Sequence, residues 1–154
     1  MKKVTITVLS IALALLFGAI TTLDAQSRYS NTELGVILGE PTGISLKAWQ
    51  SDNSAIDAAL AWSFGDNGSV HLHADYLRHN WLGVDRGSMA FYYGIGARAL
   101  FADDSKFGAR IPVGLQYIFP ETRLSMFFEV APTLDLIPET SFGVNGGIGV
   151  RIFI

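Results

Sequence analysis

The chain has no cysteine in its 154 residues. Disulfides therefore add nothing to its stability, and a lipid anchor carried on cysteine is excluded. Charge is also scarce. Asp, Glu, Lys and Arg make up 16% of the residues, against roughly 25% in soluble domains. Lys and Arg are scattered singly, so no basic patch for nucleic acid is visible, and a net charge of -3 argues for no particular partner. No long apolar run follows residue 20. Phosphate loops, a cysteine nucleophile and a metalloprotease helix are missing too. A chain that is 49% hydrophobic yet has no spanning helix after its N-terminus must spread its apolar residues over many short segments.

The N-terminus reads as a targeting segment. Lys2 and Lys3 form the charged start, residues 4–20 the apolar region, and Ala25 before Gln26 the small residue for cleavage. Leu23, third before the cut, is larger than usual, so a cut elsewhere between Ala19 and Gln26, or a retained membrane helix, stays open. The expected division is a signal peptide over 1–25, a periplasmic linker over 26–32 and a barrel domain over 33–154.

After that the chain alternates. From Met89 to Phe119 two amphipathic arms fold on the polar tip Ala102-Asp103-Asp104-Ser105-Lys106. Phe91, Tyr93, Ile95, Ala97, Ala99 and Phe101 share one face of the first arm, and Tyr92, Gly94, Gly96, Arg98 and Leu100 the other. In the second arm Phe107, Ala109, Ile111, Val113, Leu115, Tyr117 and Phe119 oppose Gly108, Arg110, Pro112, Gly114, Gln116 and Ile118. Each arm has about a dozen residues, which at about 3.3 Å per residue and a tilt of about 45° crosses a bilayer core.

The same period predicts strands over 33–39, 43–50, 54–64, 69–80, the two arms, 124–136 and 141–154. Short turns such as Glu40-Pro41-Thr42, Asp66-Asn67-Gly68 and Pro120-Glu121-Thr122-Arg123 join them. Leu77 and Arg78 break the alternation of the fourth strand, Pro132 predicts a bulge or break in the seventh, and 81–88 is the longest connection. The fold class is therefore all-β: an eight-stranded antiparallel transmembrane β-barrel after a cleaved signal peptide.

A soluble barrel with an apolar pocket would carry this pattern turned inside out. The less greasy face decides between the two. It is rich in glycine and carries single charges of both signs, which suits the inside of a narrow barrel and not a water-exposed wall. Lys47, Asp57, Asp75, Arg98, Arg110, Glu129 and Arg151 form the expected lumen charge network. Simple hairpin registers set Lys47 opposite both Gly35 and Asp57, Glu129 diagonal to Arg151, and Arg98 opposite Arg110. Two facing arginines require Asp75 and Glu129, or a bound anion. The structural reading is a neutralised plug, and the functional one is a water or ion path gated by the same residues.

His71, His73 and Asp75 point the same way along one strand, a weak metal-ligand spacing whose ordinary reading is hydrogen-bonding histidines. No cofactor is expected. Ser63 beside His71, with Asp57 or Asp75 on the same wall, is the only hint of a hydrolytic site, and it faces the lumen, so no enzyme is expected; a lipid-modifying enzyme is the remotest alternative. Trp62, Phe64, Phe101, Phe107 and Phe142 should collect at the outer rim, and Tyr76, Phe91, Tyr93, Tyr117, Phe119 and Phe128 at the periplasmic rim.

Three stretches carry a more specific likeness: Gly39-Glu40-Pro41-Thr42-Gly43 with Lys47 and Trp49, Ala55-Ile56-Asp57-Ala58-Ala59-Leu60-Ala61-Trp62, and His71-Leu72-His73-Ala74-Asp75-Tyr76. With the signal segment and the eight strands, they make the chain resemble the OmpA/OmpX-type transmembrane barrels, including small members from Gram-negative bacteria and spirochaetes. The likeness covers nearly all of the chain after the signal. It implies location in the cell outer membrane far better than it implies an activity. The partners it implies are outer-membrane lipid and lipopolysaccharide, the barrel insertion machinery acting on the C-terminal strand, and no second copy. A structural or surface-binding role follows, with the loops near Pro41, Asn67, Asp104 and Pro138 outward; an extracellular protein ligand could be met only through Glu40, Asp66, Asp103, Asp104 and Glu139. A narrow pore for ions or small solutes is the alternative. Two departures stand out: the chain ends in Ile154 where the family has Phe, with Phe153 one place off, and no peptidoglycan-binding domain follows.

Overall fold

The structure is a computed structural model and describes residues 31–40, 42–63 and 68–154. The expected signal peptide, the linker up to residue 30, Pro41, Phe64, Asp66 and Asn67 lie outside the described residues. Among the described residues the elements are all strands: β1 (Thr32–Glu40), β2 (Gly43–Ser51), β3 (Ser54–Ser63), β4 (Ser69–Leu82), β5 (Ser88–Phe101), β6 (Lys106–Arg110), β7 (Val113–Ile118), β8 (Leu124–Ile137) and β9 (Ser141–Phe153). Sequence neighbours pair antiparallel, and β9 pairs back onto β1, which closes the ring and removes both edges.

β6 and β7 are two halves of one strand, so the ring has eight members. Arg110 opposes Thr133 and Val113 opposes Val130, which is one unbroken register on β8. The gap between them is Ile111-Pro112. Pro112 has no N–H to donate, although its carbonyl accepts from Gly94 at 2.9 Å; Pro132, on the neighbouring strand, accepts from Ile111 at 2.9 Å and likewise returns nothing. Pairing lapses where these two prolines meet. β8 itself continues through Pro132, which keeps its place opposite Val144 on β9, so the break expected in that strand falls one strand away.

The irregular end expected in the fourth strand is also absent. β4 runs on to Leu82, and its side chains keep alternating, with Leu77 and His79 buried in the lumen and Arg78 outside. The residue types break the pattern while the backbone does not. Only residues 83–87 then connect β4 to β5.

Strand tilt follows from the registers. Successive partners from Glu33 run through Lys47, Asp57, Asp75, Gly96, Arg110, Thr133 and Gly143, and the next step returns to the line of β1 at position 43, about ten residues from the start. For eight strands, such a shear goes with a tilt near the upper end of the usual 35–45° or so. Each row of inward side chains therefore climbs as it circles the lumen.

The two faces have opposite chemistry. Outward, Ile95, Val144, Phe128, Val36 and Ile152 are all at least half exposed. Inward, Glu33, Lys47, Asp57, Asp75, Arg110, Glu129 and Arg151 are buried, beside a small apolar set of Ile37, Ala59, Leu77, Tyr92 and Phe127. Inward glycines make room for long partners: Gly108 opposes Arg98, Gly96 opposes Arg110, Gly35 opposes Arg151, and Gly149 opposes Phe127. A Cβ at Gly114 would collide with the ring of Tyr92 across the strand pair. One wall is thinned where the other reaches inward.

Two ends can be distinguished. The N-terminal end carries the short connections 52–53, 83–87 and 119–123, and the distal end carries 102–105 and 138–140. Phe101 and Phe107 meet edge-on at 5.8 Å at the distal end, near Trp62 and Phe142, whereas the pairs Phe91–Tyr93 and Tyr117–Phe119, at 6.2 and 4.9 Å, lie towards the N-terminal end with Tyr76 and Phe128. The described aromatics thus divide between the two ends.

Candidate functional site

The lumen holds the polar side chains in four linked groups. At its centre, β6 presents Arg110 between two walls. Its Nε is 3.3 Å from Asp75 Oδ2 on β4, and a terminal nitrogen donates to Glu129 Oε1 on β8. Tyr92 on β5 donates its hydroxyl to the other Glu129 oxygen at 3.0 Å. Asp75 gains an opposite charge but no hydrogen bond among the described residues, and His73 Nε2 stands 3.8 Å from it.

A second group crosses the barrel from β9 to β3. Arg151 donates to Asp57 Oδ2 at 2.5 Å and to Ser45 Oγ at 2.9 Å, and its guanidinium lies 3.7 Å over the Phe127 ring. The third group occupies the N-terminal half. Lys47 donates to Gln116 Oε1 at 2.7 Å, stands 3.1 Å from His79 Nε2, and sits over the Tyr92 and Trp49 rings at 4.8 and 5.3 Å. Gln116 in turn donates at 3.1 Å to both oxygens of Glu33, which also accept from Trp49 Nε1 at 2.6 Å and from the Ser125 hydroxyl. Trp81 covers this group: it stacks on Trp49 at 5.8 Å with 18° between the planes, and its Nε1 donates to the Asp52 carbonyl at 2.9 Å.

The fourth group is the distal clamp. Arg98 holds Asp135 with two parallel hydrogen bonds of 2.8 and 2.7 Å and reaches Asn145 Oδ1 at 3.1 Å, while Ser141 donates to Asp135 at 3.2 Å. Four cations, Lys47, Arg98, Arg110 and Arg151, thus meet five carboxylates, Glu33, Asp57, Asp75, Glu129 and Asp135. That near balance lets every cation find an acceptor inside the wall.

Alternation had placed the seven network residues on one face, and all seven point into the lumen, but several expected neighbours differ. Arg98 faces Gly108 and Arg110 faces Gly96, so the two arginines do not meet and need no anion between them. Gly35 faces Ser45, and it is Glu33 that opposes Lys47. Asp57 does oppose Lys47, yet the ion pair it makes is with Arg151, because the lysine reaches across to Gln116 and His79. Glu129 opposes Gly147 and Arg151 opposes Ser125, too far along the ladder for the expected diagonal pair. Ser63 falls opposite Ser69, and His71 opposite Ala61, so the serine and histidine are not register partners.

For a metal, the three convergent groups are His73, Asp75 and Glu129, whose ligand atoms lie within 4.8 Å of one another; Glu129 stands where His71 had been expected. Arg110 already touches both carboxylates and supplies the positive charge there. Sequence reasoning missed Glu33, His79, Tyr92, Gln116 and Asp135 as members of the network. Alternation had set Tyr92, Gln116 and Asp135 on the inner face, so parity alone could have found them; His79 lay beyond the seeming break at Leu77 and Arg78.

No protein-family model and no curated protein matches the chain. Among solved structures, it is similar to the crystal structure of the N-terminal β-barrel domain of Pseudomonas aeruginosa OprF, with a TM-score of 0.58 and 15% identity over 82% of this chain and 100% of that one. The likeness is one of fold: the chain is a closed antiparallel β-barrel of eight strands.

Proposed function

We propose that this protein is a small integral outer-membrane barrel with a plugged polar lumen and a structural or surface-binding role. The inversion of its two faces carries the reading. A closed ring whose outward residues are large, apolar and exposed, and whose inward residues are paired charges, matches hydrocarbon outside better than water. β4, β5 and β8 each have 14 residues, which at about 3.3 Å per residue and about 45° of tilt spans about 30 Å, the thickness of a bilayer core.

The plug follows from where the bonds go. Lys47 to Gln116 joins β2 to β7 on opposite sides of the ring, and Arg151 to Asp57 joins β9 to β3 past two intervening strands, so these bonds cross the lumen instead of lining it. A pore would have to separate buried pairs, so little conductance is expected. The N-terminal end faces the periplasm in this reading, and exposed Asp103, Asp104 and Glu139 at the distal end would meet any extracellular protein. Outer-membrane lipid and lipopolysaccharide surround a monomer inserted through its C-terminal strand, and no catalytic role is proposed.

The test is gel mobility of refolded chain with and without heating, followed by planar-bilayer conductance on the same sample. A heat-shifted band with small or no conductance supports the plugged barrel. Stable discrete openings would replace the plug by a pore, and a monomer soluble without detergent would overturn the membrane reading.

A further inference from the structure

Arg78 is the one charged side chain, among the described residues, that the interior of a strand turns outward. Leu77 and His79 on either side of it point into the lumen. A charge on the hydrocarbon face is costly at mid-bilayer and cheap near the interface. Arg78 lies four residues before the end of β4, about 10 Å along the wall from that rim, at the level of the Tyr76, Phe91 and Tyr93 aromatics. No carboxylate pairs with it among the described residues.

Its neighbours are rich in hydrogen-bond donors. Ser54 opposes it on β3 and Tyr93 on β5, and Tyr76 and Asn80 flank it on the same face of β4. What this group lacks is a multivalent acceptor carrying negative charge, and a guanidinium fork matches two phosphate oxygens. The surroundings point to a lipid as the source of that phosphate. Phe91 flanks the site, and beyond it the outer wall has an apolar cleft of about 170 Å³ lined by Met89, Leu115, Tyr117, Met126, Phe128 and Ile148, where an acyl chain can lie. We propose that Arg78, Tyr76, Tyr93 and Asn80 form a seat for the phosphodiester headgroup of a membrane phospholipid on the outer wall, at the N-terminal end.

The inference rests on the membrane reading, and one experiment separates the two. Refolded full chain in non-ionic detergent is first checked for the heat-shifted band, whose absence sinks the membrane reading. The folded sample is then titrated with dihexanoyl phosphatidylglycerol while the Asn80 side-chain amide resonance, present in every variant, is followed by NMR. A saturable shift is expected, weakened at least about tenfold in Arg78→Gln and less in Arg78→Lys, as loss of a charge-assisted fork requires. Dihexanoylglycerol and inorganic phosphate at the same concentrations should leave the resonance unmoved. The seat is overturned if Arg78→Gln binds within twofold of the parent chain, or if inorganic phosphate saturates the shift as the lipid does. The double variant Tyr76→Phe/Tyr93→Phe, which keeps the charge, should weaken binding severalfold; an unchanged affinity there also overturns the seat.

Discussion

Arg110 and Arg98 sit on adjacent strands, face the same lumen and each lie over a glycine, yet their surroundings differ. Arg110 is buried between carboxylates from two walls, whereas the Arg98 side chain keeps 14% of its surface open and holds one carboxylate at the distal mouth. The same residue thus serves as a crossbeam in one place and a clasp in the other. Depth decides the difference, because water at the mouth can take over what a partner gives up, and at the centre nothing can.

The largest effect expected from breaking this contrast is at the centre. Arg110→Met leaves Asp75 and Glu129 buried without a cation and should cost about 3–5 kcal/mol, measured by urea unfolding of the barrel in lipid vesicles. Adding Asp75→Asn and Glu129→Gln to that variant should restore about 2 kcal/mol or more, since a neutral centre no longer contains stranded charges. If the triple variant is no more stable than the single one, packing and not charge accounts for the loss. Next in size, Gly96→Ala should cost about 1–3 kcal/mol by the same assay, because its Cβ would run into Asp75 and the β4 backbone. Arg98→Gln should cost only about 1 kcal/mol, with bilayer conductance close to that of the parent because the crossing pairs remain. The smallest effect is in salt: raising it from 0.1 to 1 M should shrink the Arg98→Gln difference and leave the Arg110→Met difference nearly unchanged, since screening acts on the open pair.

The faces were legible in the sequence, and the neighbours were legible only in part. One tight turn gave the right register, since Lys47 opposes Asp57 as expected. At the distal hairpins the expected pairs, Gly35 with Lys47, Ser63 with His71 and Arg98 with Arg110, are each displaced by two residues in the ladder. A slip of two preserves which face every side chain takes, so an alternating pattern cannot detect it, whereas a slip of one would have turned the barrel inside out. The partners of Arg151 and Lys47 were out of reach for another reason. They come from strands far apart in the ring, and the tilt that brings them level exists only once the sheet has closed.

The stacked indoles of Trp49 and Trp81 also have an optical consequence. They belong to β2 and β4, separated by the whole of β3, so they come together only when three strands have assembled in register. Two chromophores 5.8 Å apart and nearly parallel couple through their strong far-ultraviolet transition, and the pair should give a split circular-dichroism band that neither ring has alone. Trp62, at the other end of the wall, stands outside that pair. The protein thus carries a built-in chromophore for its own closure, readable without a label and erased by Trp81→Phe.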